Sequence, residues 1–139
     1  MDEKQKVLAV VNKKQLASIM NNTKWEQLQK FVIDNLPFPP AFQVKYVLED
    51  PPDTENFEED VWYWGDWQHG LGPFYSIEWM RVRPRYVKHR GRLIEPEIFD
   101  ITDPFIDILQ KLNIPFVQEG RTICIYGYVN STEIFNLKP

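Results

Sequence analysis

The sequence predicts a single α+β domain, with N-terminal helices and one later helix packed on a mainly antiparallel sheet. Helical apolar patterns are grouped near the start, and most later apolar segments alternate and are joined by short, hairpin-like turns. A chain of 139 residues fits one domain, which we expect to cover residues 13–139. Residues 1–12 mix charges with a short apolar stretch, and they are predicted to form a loose arm.

Three segments have the pattern of helices. Residues 13–20 place apolar side chains at helical spacing, and residues 24–35 carry a stripe formed by Trp25, Leu28, Phe31 and Val32. Asn22 or Thr23 is a suitable cap for this second helix. Asp103-Pro104 predicts the start of a third helix, with Asp as the cap and Pro at the first helical position, where its missing N–H costs nothing.

The strands are predicted from alternation. Residues 42–48 and 74–83 alternate apolar and polar side chains, as half-buried strands do. Residues 116–118 and 121–129 are predicted to pair as a hairpin that turns at Glu119-Gly120. Residues 85–97 are less regular, and no element is predicted there.

Composition limits the class of protein. The net charge is −4, and the only cysteine is Cys124, so an internal disulfide and a multi-cysteine zinc site are both excluded. The apolar run at residues 7–11 is too short to span a membrane. We therefore expect a soluble, cytoplasmic protein that does not contact a membrane.

The charges are separated along the chain. Residues 49–66, here called the acidic segment, contain eight acids and no Lys or Arg, whereas residues 81–92, the basic segment, contain six bases and no acid. Such blocks create local fields stronger than the net charge suggests. Either the two segments pair within the fold or are solvated, or one of them meets a partner of opposite charge. The acidic pI of about 5.2 and the lack of a recognisable motif argue against nucleic acid as that partner.

Large aromatic rings follow the acids directly. Aromatic residues make up 14% of the chain, and Trp62, Tyr63, Trp64 and Trp67 lie in one short stretch, predicted to be a strand or an aromatic-rich turn. Rings beside acids suit a surface that meets a basic protein, because the rings supply buried area and the acids steer the approach. The alternative is that Trp62 and Trp64 share a strand face and pack in the core.

Catalytic motifs are scarce. The chain has no nucleophile-elbow, zinc-protease or phosphate-loop motif, and Cys124 falls within a predicted strand, where a small buried thiol is expected. The best enzymatic constellation is Glu78, His89 and Arg90, a weak acid–base set. No cofactor and no metal site are predicted.

Several short motifs together resemble an uncharacterised bacterial family, known as a domain of unknown function. They are Asn22-Thr23-Lys24-Trp25, Ile77-Glu78-Trp79, Tyr86 with His89-Arg90-Gly91-Arg92-Leu93, Ile114-Pro115 and Ile125-Tyr126-Gly127-Tyr128. The resemblance spans residues 15–128. It implies a small cytoplasmic α+β protein and brings no established activity or catalytic residue.

The leading hypothesis is a small, acidic, non-enzymatic binding protein of the immunity or antitoxin type, which occludes a basic toxin domain. The predicted contact residues are Glu58, Glu59, Asp60, Trp62, Asp66 and Trp67. Charge complementarity would speed capture and raise specificity. The alternatives are an enzyme that uses Glu78, His89 and Arg90, and a structural subunit that forms a homo-oligomer through a large apolar interface.

Overall fold

Three helices and eight strands form in residues 1–53, 57 and 60–136, which are the residues that the computed structural model describes. The helices are α1 (Glu3–Lys13), α2 (Asn22–Asn35) and α3 (Thr102–Lys111). The strands are β1 (Ala17–Ser18), β2 (Ala41–Tyr46), β3 (Ile77–Arg83), β4 (Arg85–Lys88), β5 (Glu97–Asp100), β6 (Phe116–Glu119), β7 (Thr122–Tyr126) and β8 (Tyr128–Val129). Short 3₁₀ helices cover Phe74–Ser76 and Thr132–Asn136.

A four-stranded sheet in the order β2-β3-β7-β6 organises the fold, and every neighbouring pair in it is antiparallel. Two small antiparallel pairs, β1-β8 and β4-β5, lie outside it. The prediction of one α+β domain with a mainly antiparallel sheet is confirmed.

The main core lies between one face of this sheet and two helices. Helix α2 contributes Trp25, Leu28 and Val32, so the predicted apolar stripe is confirmed, with Phe31 packing at its edge. The sheet and α3 supply the rest, chiefly Met80, Val82, Ile123, Ile125, Phe105, Ile108 and Leu109. The cap of α2 is Asn21 rather than Asn22 or Thr23, because the Asn21 side chain accepts a hydrogen bond from Lys24 N at 2.8 Å.

The N-terminal segment is a helix, which corrects the loose arm predicted for residues 1–12. Asp2 Oδ1 accepts from Gln5 N at 2.8 Å, and Gln5 Oε1 accepts from Asp2 N at 3.1 Å, so the two residues form a capping box. Val7 and Val11, one turn apart, are buried against Val47 in a second small cluster. This packing holds the N-terminal helix onto the domain.

The helix predicted at residues 13–20 is wrong. Gln15 has a φ of 56°, a left-handed conformation that ends the helical path after α1. The chain then forms β1, in which Ala17 pairs with Val129 of β8. A two-residue strand is too short to leave an alternating pattern in the sequence.

The remaining elements differ from prediction mainly at their boundaries. Strand β2 ends at Tyr46, and residues 74–76 form a 3₁₀ helix before β3 begins. Helix α3 starts at Thr102, so Pro104 is its third residue rather than its first, and Asp100 Oδ1 accepts from Thr102 N at 2.9 Å. The β6-β7 hairpin is confirmed, with Gly120 at a φ of 60° in its turn. Residues 85–97, predicted to be irregular, contain β4 and the start of its partner β5.

Candidate functional site

The sheet face turned away from α2 and α3 carries arginines. Met80 and Val82 of β3 belong to the core, so alternation puts Arg81 and Arg83 on the opposite face. Cys124 pairs with Arg81 across the β3-β7 ladder and shares that face. The basic segment therefore begins on the polar side of the central sheet.

The described residues Asp53 and Phe57 of the acidic segment bond to side chains on this polar face. Gln43 Nε2 on β2 donates to the carbonyl of Asp53 at 2.9 Å, and Arg83 Nη1 on β3 donates to the carbonyl of Phe57 at 3.4 Å. Phe57 is buried with Ala41 and Val61 in a small apolar cluster that holds the segment down. The two oppositely charged segments thus meet within the fold.

Asp60 makes the ionic link between the two segments. Its Oδ1 lies 3.3 Å from Arg83 Nη2 and 3.0 Å from Arg85 Nε. The Arg83 side chain is only 5% exposed and also donates to Thr122 Oγ1 at 3.3 Å, whereas Arg85 reaches Asp100 Oδ2 at 3.7 Å. Because Asp60 compensates a buried guanidinium, its carboxylate is engaged inside the molecule rather than offered to a partner.

The other predicted acids have different positions. Glu58 and Glu59 lie outside the described residues. The Asp66 side chain is 60% exposed; its Oδ1 accepts from His69 N at 2.9 Å and lies 3.7 Å from His69 Nδ1. Asp66 is the predicted acid that the structure leaves open to solvent in the described part of the segment.

The tryptophans divide between surface and core. Trp62, Tyr63 and Trp64 are 72%, 44% and 54% exposed, which decides against the core alternative for Trp62 and Trp64. Only Val61 forms a β-bridge, to Tyr86, and the chain bends immediately after it, so no strand face directs these rings inward.

Trp67, also predicted as a contact residue, belongs to the core. Its side chain is 1% exposed, and its Nε1 donates to the carbonyl of Pro40 at 2.7 Å. The ring packs edge-on against Phe42 and Phe105, with centroids 5.3 and 6.2 Å away. In this structure its ring cannot reach a partner.

Supporting rings hold Trp64 in place, whereas Trp62 and Tyr63 meet each other edge-on at 5.9 Å. Trp64 stacks on Phe38 with centroids 6.2 Å apart and meets Tyr86 edge-on at 5.9 Å. Tyr86 stacks in turn on Phe99 of β5 at 4.9 Å, so the β4-β5 hairpin supports the cluster. We call Trp62, Tyr63, Trp64, Tyr86 and Phe99 the aromatic surface.

Sequence reasoning missed the supporting rings, because residues 85–97 were not predicted to form strands. The signal present was β propensity: Arg85–Lys88 and Glu97–Asp100 each hold an aromatic and a β-branched residue, and Gly91 lies between the two segments. Gly91 has a φ of 146°, a backbone conformation that favours glycine.

The enzymatic alternative gains no geometric support. Glu78 Oε1 pairs with Lys45 Nζ at 3.2 Å, while the Arg90 guanidinium donates to the carbonyl of Glu95 from Nε at 3.1 Å and from Nη2 at 2.9 Å. Within the described part of the chain, no hydrogen bond or ion pair joins Glu78 to His89 or Arg90.

Cys124 is not suited to nucleophilic catalysis. It is buried, as predicted, and burial raises the pKa of its thiol to about 11; Glu119 adds to that rise and Arg81 opposes it. The thiol is therefore protonated at neutral pH, although the thiolate is the reactive form. Across the described residues, no three His, Cys, Asp or Glu side chains are grouped so that they could hold a metal ion.

The fold and the site define a single α+β domain whose acidic segment carries the exposed rings of the aromatic surface. Residues 7–132 match a family described as a family of unknown function (DUF6678), and the chain belongs to this family. The predicted resemblance to an uncharacterised family is thereby confirmed. No curated protein and no solved structure matches the chain. Within residues 1–53, 57 and 60–136, no helix combines the length and apolar character needed to cross a bilayer.

Proposed function

We propose that this protein is a small, non-enzymatic binding protein that meets a protein partner through its aromatic surface. The observation that carries the proposal is the exposure of three adjacent large rings, Trp62, Tyr63 and Trp64, at 72%, 44% and 54%. Isolated exposed apolar residues are common, but contiguous aromatic groups are typical of binding hot spots. The stacking of Trp64 on Phe38 limits the side-chain entropy that binding would cost.

The partner we propose is basic. The acidic segment contains no Lys or Arg, and the side chain of Asp66 is 60% exposed. A field of this sign speeds the approach of a basic protein and disfavours acidic ones. An immunity or antitoxin-like role, in which the chain occludes a basic toxin domain in the cytoplasm, fits a small domain whose binding surface needs no catalytic group.

The proposed contact set differs by two residues from the one that the sequence predicts. Trp62 and Asp66 remain in it, joined by Trp64 and Tyr63. Asp60 and Trp67 leave it, because the first pairs with Arg83 and Arg85 and the second is buried. Glu58 and Glu59 stay in the proposed contact set because of their charge and their position in the acidic segment.

A homo-oligomeric subunit is the second candidate, and one observation favours it. Leu93, Ile94 and Ile98 on the β4-β5 hairpin are 99%, 55% and 48% exposed. Such a patch suits burial against a second copy of the chain. Light scattering tests the homo-oligomer, because a protein that stays monomeric at high concentration contradicts this candidate function.

The proposed function is tested by calorimetric titration with basic proteins encoded by neighbouring genes. We expect Trp62→Ala and Trp64→Ala to weaken a specific complex by about thirtyfold or more, the loss typical of an aromatic hot spot. Leu8→Ala is the matched control, because Leu8 is an exposed apolar residue on α1. We also expect Asp66→Lys to slow association and reduce its salt dependence.

Two results would contradict the proposal. One is a complex whose affinity is the same in both tryptophan variants as in the wild type. The other is capture that stays intact and insensitive to salt when Glu58, Glu59 and Asp66 are replaced by Lys, since the acids would then have no part in steering.

A further inference from the structure

A pocket of about 360 Å³ opens on the polar face of the central sheet, and its described lining contains none of the aromatic surface residues. It lies where β3 passes the β6-β7 turn, and its walls are formed by Phe57, Arg81, Arg83, Glu119, Gly120, Arg121 and Thr122. Its volume suits a small molecule rather than a peptide.

Three arginines reach this pocket from two directions. Arg81 and Arg83 are two residues apart on β3 and share its polar face, while Arg121 comes from the turn that leads into β7. The Arg81 guanidinium lies over the Trp79 ring, with Cζ 4.8 Å from the ring centroid. In the described part of the chain, Arg81 forms no ion pair with a carboxylate.

The local charge is positive even after internal pairing is counted. Asp60 compensates Arg83, and Glu119, the one acid on the described pocket wall, offsets one of the charges of Arg81 and Arg121, which leaves one positive charge in excess. An excess positive charge beside a partly enclosed space attracts an anion.

Arg83 is held in the pocket wall by bonds inside the protein. Its side chain is 5% exposed; Nη1 donates to the carbonyl of Phe57 and to Thr122 Oγ1, and Nη2 donates to Asp60 Oδ1. Thr122 Oγ1 accepts from Arg83 Nη1 at 3.3 Å, and its O–H, which donates to no described residue, can donate into the pocket.

We propose that this pocket binds the phosphate group of a small molecule. Planar guanidinium groups hold phosphate oxygens through paired, charge-assisted hydrogen bonds, and here Arg81 and Arg121 supply the charge while Thr122 supplies a neutral donor. Phe57 forms an apolar wall for the rest of the ligand. The described lining of the pocket shares no residue with the aromatic surface, so the two proposals are tested by different variants.

The proposal is tested by isothermal titration with inorganic phosphate and with glycerol phosphate, each against potassium chloride at equal ionic strength. We expect Arg81→Gln to weaken binding by about tenfold or more, the usual loss for a charge-assisted contact. Arg90→Gln is the matched control, because Arg90 is an exposed arginine whose bonds within the described part of the chain all go to the carbonyl of Glu95. Tighter binding of the ester identifies a phosphorylated metabolite, and equal binding identifies phosphate itself; both support the site.

Glu119→Gln should change the affinity for phosphate in the opposite direction to Arg81→Gln. Removing the one acid on the described wall should strengthen phosphate binding several-fold, an effect that loss of structure cannot produce. The proposal is overturned if the wild type binds neither probe, if Arg90→Gln weakens binding as much as Arg81→Gln does, or if Glu119→Gln leaves the affinity unchanged or weaker. Should Arg81→Gln fail to fold, Arg121→Gln on the exposed turn replaces it with the same expected loss.

Discussion

Asp60 and Arg83 join the acidic and basic segments at a distance of 3.3 Å, with the arginine side chain almost fully buried. The charge separation seen along the sequence is therefore partly cancelled in space. Asp60 is shared by two arginines, and Arg83 is shared among Asp60, Thr122 and the carbonyl of Phe57. The Asp60 carboxylate thus compensates the buried charge of Arg83. It also links the acidic segment to strand β3.

We predict that Asp60→Asn destabilises the fold by about 2–3 kcal/mol, less than the 3–5 kcal/mol typical of a fully buried pair, because Asp60 is a quarter exposed. Urea unfolding measures this loss. The matched control is Asp34→Asn, which breaks the Lys30–Asp34 pair; both side chains are more than half exposed, so we expect a loss of about 0.5 kcal/mol or less. Equal effects of the two variants would show that the Asp60 link has no special role.

Truncation of the buried Trp67 should lower the stability of the fold far more than truncation of the exposed Trp62. We predict that Trp67→Ala costs about 3–5 kcal/mol, because it removes a buried ring and leaves the carbonyl of Pro40 without its donor. Trp62→Ala should change the free energy of unfolding by less than about 0.5 kcal/mol, because the ring is mostly in water. Thermal melting of both variants tests this contrast, and a large loss in Trp62→Ala would place that ring in the core.

The N-terminal helix is expected to contribute to stability. We predict that Val7→Ala costs about 2 kcal/mol, from the lost methyl groups and the cavity that they leave. Leu8→Ala, the neighbouring change on the exposed side of α1, should have almost no effect, since Leu8 is 44% exposed. A loose arm would instead leave both variants as stable as the wild type.

Asp100 gives the start of α3 a dependence on pH. Burial alone would raise the pKa of this carboxyl, but the hydrogen bonds from Thr102 and the charges of Arg85 and Arg121 outweigh it and lower the pKa below its usual value. A carboxyl with a lowered pKa in the folded state stabilises the fold above the unfolded pKa of about 3.9, and this contribution is lost as the pH falls through the folded pKa.

We predict that Asp100→Ala costs about 1 kcal/mol at pH 7, the usual value of a helix-capping side chain. The difference from the wild type should shrink as the pH is lowered below about 4. Asp100→Asn keeps an oxygen acceptor but cannot titrate, so it separates the hydrogen bond from the charge. A loss in Asp100→Ala that is the same in acid as at neutral pH would contradict the assignment.

Local signals predicted the elements that carry strong periodicity. Trp25, Leu28 and Val32 recur at helical spacing, and helix α2 forms where they predict it. The turn at Gly120 predicts the β6-β7 hairpin for a similar reason, since glycine tolerates its positive φ. In both cases the information lies within a dozen neighbouring residues.

Other features depend on contacts between distant residues, which no local pattern contains. Val7 and Val11 alone give a weak helical pattern. The contact that buries them, with Val47, joins residues far apart along the chain. Trp62 and Trp67 belong to the same aromatic run, yet the bend after Val61 separates a surface ring from a core ring. The pairing of Asp60 with Arg83 likewise becomes visible only when the segment is folded over the sheet.

The short β1-β8 pair has a consequence for how the chain folds. Ala17 pairs with Val129, so two segments near opposite ends of the sequence must find each other before this contact exists. Contacts between such distant residues form slowly, because the entropy of closing a long loop is lost before any pairing energy is gained. During synthesis, α1 can therefore complete its packing only after Tyr128, one of its packing partners, has left the ribosome.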